Sequence, residues 1–283
     1  MRRRRFEETF FKGLMIFALI VALGTLFSLI IIVVWKGLPA LDLAMITQTP
    51  SGGYYLGKEG GILNAIVGSL YLAIGATVLA FIVALPVALF LQREYVGRTR
   101  LAGLVRLSLD VLWGIPSIVY GAFGFIIMLF LGMRASLLGG IVALTFLEIP
   151  IMTRAMDEVI RTVSGDLKDA SYALAATRLE TSARVVARQV LPGLLTAVLL
   201  AFGRGIGEAA AILFTAGYTD RIPGSLFEPV ASLPLAIFFQ LGTPFPEVQQ
   251  RAYASAVILL VIILVTSIAA RLLSRRFTRH TVK

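Results

Sequence analysis

Apolar residues in this chain do not alternate with polar ones. They run almost unbroken for lengths that match a lipid bilayer. Six such runs occupy residues 14–35, 62–91, 111–131, 135–152, 192–215 and 254–273. A helix rises about 1.5 Å per residue and a hydrocarbon core is about 30 Å thick, so about 20 apolar residues cross it. Backbone N–H and C=O groups meet no water there, which forces each crossing segment into a helix. The pattern predicts an all-α integral membrane protein with six transmembrane helices. The fourth run is short for a crossing. The first follows "MRRRRF", the kind of start that opens a signal peptide. Its apolar stretch is too long for one, and no small-x-small cleavage site precedes Trp35-Lys36, so it reads as a retained helix.

Composition agrees: 58% of residues are hydrophobic, 15% are charged, and mean hydropathy is +0.89. The chain has no cysteine, which removes disulfides and thiolate metal sites. Its one histidine, His280, lies in the basic tail, and no His/carboxylate cluster suggests a transition metal or a membrane-embedded enzyme. The net charge of +10 raises nucleic acid as a partner, but its distribution answers otherwise. Twenty of the 26 Lys and Arg residues fall at the two termini and in the segments after the second and fourth runs. The positive-inside rule then puts both termini in the cytoplasm of a multi-pass protein in the cytoplasmic (inner) membrane. The basic balance reads as topology and contact with anionic lipid, not as nucleic-acid binding.

Two loops invite a chemical reading. "GGYYLGKE", residues 52–59, nearly fits the phosphate-cradling G-x-x-x-x-G-K-[ST] pattern. Glu59 replaces the magnesium-binding hydroxyl, no strand precedes it, and the topology places it outside the cell, so it is rejected as an ATP site. The segment 164–193 reads as two short cytoplasmic helices. Asp166 is the expected cap of the first, with Asp169 three residues on and Leu167, Ala170, Leu174 and Ala175 at helical spacing. The second, near residues 178–190, leads to Leu191-Pro192 at the mouth of the fifth run, where proline is tolerated. The pattern alone leaves open whether the first helix docks into a partner or packs on its own bundle.

The fifth run contains "GRGIGEAAA", residues 203–211, with Arg204 and Glu208 four apart. Arg204 lies twelve positions from Pro192, near mid-membrane, where an arginine costs roughly 2.5–3.5 kcal/mol on insertion scales. In one continuous helix Arg204, Glu208, Ala211 and Thr215 share a small, polar stripe, and Gly203 and Gly207 form a G-x-x-x-G face for helix packing. The stripe suits a water-filled path for an oxyanion, because guanidinium offers two parallel hydrogen bonds. Tyr120 and Ser117 in the third run are further candidate donors to the path. The alternative is a salt bridge that only fixes packing. Glu148 is expected near the cytoplasmic end of the fourth run, paired with Arg154 or facing water.

"DASYALAATRLETSARVV", with Leu191-Pro192 downstream, resembles the EAA coupling loop of ABC-importer permeases. Asp169, Ala170 and Ser171 take the E-A-A places, and Ala175 takes the place of a glycine that adopts a left-handed turn more freely. "GIPSIVYGAFGF" and "GRGIGEAAAILFTAG" resemble the third and fifth spans of phosphate-importer permeases, and "GGILNAIVGSLYL" resembles their PstA type. The resemblance implies a type I permease architecture. Residues 1–61 would carry the first helix and an extracytoplasmic loop, and residues 62–283 the permease core, with the coupling loop at about 164–192. It implies a non-catalytic subunit forming half of a path for inorganic phosphate. It implies a homologous PstC-type permease, two ATP-binding subunits that hold the ATP and magnesium, and an extracytoplasmic phosphate-binding protein as partners. This chain would carry no cofactor of its own. A permease for molybdate, tungstate or sulfate remains an alternative, as does an autonomous channel or proton-coupled carrier.

Overall fold

The computed structural model describes residues 2–51, 59–92, 94–97 and 99–278. Residues 52–58, which hold the phosphate-loop-like stretch, lie outside the described residues, as do Arg93, Arg98 and His280. Helix α1 (Arg2–Gly37) is followed by a 3₁₀ turn (Leu38–Ala40), a short α2 (Leu43–Thr47) and a two-residue antiparallel ribbon. Then come α3 (Leu63–Phe90), α4 (Arg100–Gly114), α5 (Ser117–Phe130) and α6 (Leu137–Arg161). The next loop carries α7 (Gly165–Ala173), α8 (Arg178–Glu180), a π-helical stretch (Thr181–Val186) and α9 (Ala187–Gln189). The chain ends in α10 (Leu191–Ile206), α11 (Leu233–Leu241) and α12 (Pro246–Thr278). Among the described residues four helices are long and apolar enough to cross a membrane, and two sharply bent helix pairs raise the number to as many as six.

Helix α6 is the axis of the bundle. Most of its side chains are buried, and it packs on α3, α4, α5 and α10. On α3 the residues Ala76, Ala80, Ala84 and Ala88 fall four apart and are all inaccessible. That stripe of methyl groups lets the α6 backbone approach closely, which matters where lipid removes the hydrophobic drive for association. Met152, Met156 and Ile160 of α6 fill the space opposite. Helix α1 stands apart: its apolar span buries nothing and meets α12 near its end, where a side chain on Gly37 would collide with the Tyr253 carbonyl.

Three sequence expectations change here. Residues 111–131 are not one straight crossing: α4 and α5 meet at 99° across Ile115 and Pro116. Proline removes a backbone donor and disfavours helix in the residue before it, so the chain breaks where "GIP" stands. The fifth helix does not reach Thr215: α10 stops at Ile206, Gly207 caps it, and residues 210–216 follow as turns. The short run 135–152 becomes the 25-residue α6, continuing past Pro150 to Arg161.

Candidate functional site

Arg204 stands in the last turn of α10, about half exposed at 52%, and its Nη2 lies 3.3 Å from Glu208 Oε2. Glu208 lies just past the helix end and is buried. Its other oxygen accepts backbone hydrogen bonds from Ala210 (3.1 Å) and Ala211 (3.4 Å). One carboxylate thus anchors the turn after α10 and steadies the guanidinium. Arg204 also lines a pocket of about 260 Å³, whose walls are otherwise apolar: Leu112, Trp113, Ile115, Leu147, Ile151 and Leu200. The bend between α4 and α5 supplies one wall, and α6 and α10 supply the others. A cation among low-dielectric walls attracts an anion far more strongly than it would in water.

The other expected path residues are not brought to this pocket. The Tyr120 hydroxyl donates to the Leu112 carbonyl at 2.7 Å, which ties α5 back to α4 across their bend. Ser117, half-buried, opens α5 on the far side of the same break. Thr215 is fully buried beside Gly124 and Gly139, because the end of α10 at Gly207 removes it from the Arg204 face. Among the described residues no helix of this chain packs on the expected Gly203–Gly207 face. Gly203 meets nothing within 4 Å, and Gly207 has only its own helix end beside it. The glycines of α10 that admit α6 are Gly193, against Val159, and Gly205, against which Glu148 is pressed. Glu148 does not end its helix or pair with Arg154. It lies mid-way along α6, fully buried, because the helix runs on to Arg161.

Arg154 instead pairs with Asp110 (2.8 Å), Glu158 (3.2 Å) and Asp157 (3.5 Å). Asp157 is inaccessible and accepts a two-pronged contact from Arg106, Nε at 2.8 Å and Nη2 at 3.2 Å. Gln92 donates to the same carboxylate at 2.9 Å, and Arg106 also donates to the Leu91 carbonyl at 2.6 Å. The cluster binds the α3–α4 turn to the end of α6. The sequence left it unseen because its members are far apart in the chain.

The loop after α6 is fastened to the bundle on one side and bare on the other. Ser164, not Asp166, caps α7 by accepting from the Leu167 N–H. Lys168 pairs with Glu94 at 2.9 Å, and the Ser171 and Thr181 hydroxyls meet at 2.9 Å. Thr177 and Glu180 form a capping box, and those hydrogen bonds from Thr177 hold the Glu180 carboxyl below the ordinary glutamate range. Asp169 and Ala170 face outward, and Leu174 and Leu179 are 85% and 73% exposed. Leu191 and Pro192 open α10, half-buried, at the loop's far end. Ala175 has φ +61°, and the N–H groups of Ala175 and Ala176 bond the carbonyls of Tyr172 and Ser171. This is a Schellman ending, whose left-handed position favours glycine. We predict that Ala175→Gly stabilises the loop by about 0.5–1 kcal/mol, seen as slower amide exchange at Ala175 and Ala176. Faster exchange there contradicts the prediction.

A profile described as "Binding-protein-dependent transport system inner membrane component" matches residues 84–279. The "Phosphate transport system permease protein PstA" of Xylella fastidiosa (strain Temecula1) is 34% identical over 243 residues, 85% of this chain and 83% of that protein. Its namesake in Haemophilus influenzae is 30% identical over 270 residues, 95% of this chain and 94% of that one. Among solved structures, a chain of the MetNI methionine ABC transporter in an inward-facing conformation superposes with a TM-score of 0.64 at 20% identity. That match covers 76% of this chain and 95% of that one, and it speaks to fold.

Proposed function

We infer the function of this chain from its membership of a family: it belongs to the binding-protein-dependent transport system inner membrane components, and it is a permease subunit of a phosphate ABC importer. We propose that Arg204 is the transit contact for phosphate. The observation that carries this is a half-exposed guanidinium, held on one side by Glu208, opening into an otherwise apolar pocket. Glu208 competes with phosphate for Arg204 and so keeps the anion from binding too tightly to leave, as a conducting site requires.

The remaining parts follow from this reading. Six crossings with both termini cytoplasmic agree with four long apolar helices, two bent pairs and the one-sided Lys/Arg distribution. The bare Ala170, Leu174 and Leu179 surface suits a groove on an ATP-binding subunit, and that partner holds the ATP and magnesium. Lys168–Glu94 and Ser171–Thr181 are the contacts through which such a partner would move the bundle. A homologous second permease closes the path on the open side of Arg204, and a soluble binding protein delivers the ion.

The test is labelled phosphate uptake in a strain lacking this chain, restored by expressing it. Excess unlabelled phosphate abolishes the signal, and excess molybdate, tungstate or sulfate leaves it in place. Competition by one of those three as strong as by phosphate overturns the substrate assignment. Transport by the purified chain alone, without ATP, overturns the coupling.

A further inference from the structure

Glu148 is a carboxyl that the phosphate path does not use. Its side chain is 0% exposed at the junction of α3, α6 and α10, and neither carboxyl oxygen has a hydrogen-bond partner. Thr77 of α3 lies beside it, and the Thr77 hydroxyl is also buried and unsatisfied. From α10 it meets Gly205, where any side chain would strike Oε1. The cations on the packed helices are engaged elsewhere: Arg154 with Asp110, Asp157 and Glu158, Arg161 with Asp157 and Glu158, and Arg204 with Glu208. Arg106 of α4 is committed to Asp157. No ion pair reaches Glu148 among the described residues.

An isolated carboxylate in such a place costs far more than a neutral acid. A metal cation does not answer the need, because one carboxyl and one hydroxyl are too few oxygens where about six are usual for hard cations. We propose that Glu148 is a proton-binding site, occupied while α10 packs on α6. In that state the acid's O–H donates to Thr77 Oγ1. When α10 withdraws, water enters, the O–H bond breaks, the proton passes to water and the carboxylate is hydrated. Leu194, Ala197 and Ala201 pack the earlier part of α10 on α3 and α6, and two features ease withdrawal of its last turn beside Glu148. It ends one residue past Gly205, at Ile206, and it touches Glu148 through a glycine rather than an interlocking side chain. The arrangement links proton binding to helix packing. Raising the pH past the point at which the buried acid ionises favours separation of α10, and lowering it favours the packed state.

The experiment uses the complete transporter in lipid nanodiscs and infrared spectroscopy of the carboxylic-acid carbonyl stretch. At neutral pH the wild type shows a protonated-acid band that Glu148→Gln lacks and Thr77→Val shifts in frequency. The pH profile of uptake in Glu148→Gln, assayed in proteoliposomes, loses one titrating step that the wild type shows. If Glu148→Gln does not assemble, the Thr77→Val shift decides alone. A neutral-pH spectrum without a band attributable to Glu148, or a band that disappears when sodium replaces choline, overturns the proposal. An unshifted band in Thr77→Val together with an unchanged pH profile in Glu148→Gln overturns it as well.

Discussion

Phosphate uptake falls at least tenfold when the only copy of this chain carries Arg204→Ala, while the complex assembles in normal amount. The side chain is half exposed and its ion-pair partner among the described residues, Glu208, stays bonded to two backbone N–H groups without it. The fold therefore loses little. The passing anion loses a charge-assisted contact worth about 1.5–3 kcal/mol, and each 1.4 kcal/mol is a factor of ten. The true loss is larger, because the other residues around the pocket are apolar and offer the ion no replacement for its water. Arg204→Lys keeps the charge but not the planar fork, and gives an intermediate rate. Glu208→Ala removes both the competitor and the anchor of the turn after α10, and also abolishes uptake. Glu208→Gln separates those roles. Its amide oxygen still accepts from Ala210 and Ala211, but Arg204 is no longer neutralised. Phosphate then binds more tightly and leaves more slowly, so half-saturation and maximal rate fall together. Normal uptake in Arg204→Ala removes Arg204 from the path. A Glu208→Gln protein with an unchanged half-saturation leaves Glu208 as a packing residue only.

Hydropathy made the membrane spans legible because burial in lipid rewards the same residue types wherever the backbone goes. The same blindness hid the bends. Residues 111–131 are uniformly apolar, yet Gly114-Ile115-Pro116 breaks them into α4 and α5 and so builds one wall of the Arg204 pocket. The punctuation was present in the sequence, but apolarity outweighed it in the reading. In the fifth run, extending a 100° wheel through Gly207 put Thr215 beside Arg204, whereas the chain turns there and buries it. Glu148 was misplaced for a related reason: the charges after residue 152 read as the end of a helix. Those charges instead satisfy one another on a helix that continues, which leaves Glu148 at its middle. Ala175 was read at helical spacing within the first cytoplasmic helix, but it stands two residues past α7 in a left-handed turn, at the position where the resemblance puts a glycine. Local rules of backbone sterics transfer from sequence to structure; pairings across the bundle do not.

The Asp157 cluster is such a pairing, and breaking it has the largest expected effect on stability. In Asp157→Ala the Arg106 guanidinium loses both prongs of its contact, and Gln92 loses its carboxylate acceptor. Removing one partner of a buried ion pair costs about 3–5 kcal/mol, against total stabilities of about 5–15 kcal/mol, so the protein accumulates poorly and its complex melts earlier. Arg106→Leu alone leaves Asp157 buried with Arg154 at 3.5 Å and Arg161 at 4.0 Å, weaker substitutes for a contact at 2.8 Å. Replacing both residues, Arg106→Leu with Asp157→Leu, removes the uncompensated charge. It recovers part of the lost stability, since apolar pairs of similar size often match buried salt bridges. The double-mutant cycle distinguishes the two explanations open for this cluster. If the charges serve only to hold α4 against α6, restored stability restores uptake. If the cluster also transmits movement from the Lys168–Glu94 contact along the α3–α4 turn to the α4–α5 bend beside Arg204, the double variant assembles yet its ATP hydrolysis no longer drives uptake. The geometry favours the second outcome, because Arg106 lies between Glu94 and that bend along the chain and Gln92, two residues before Glu94, bonds the same carboxylate as Arg106.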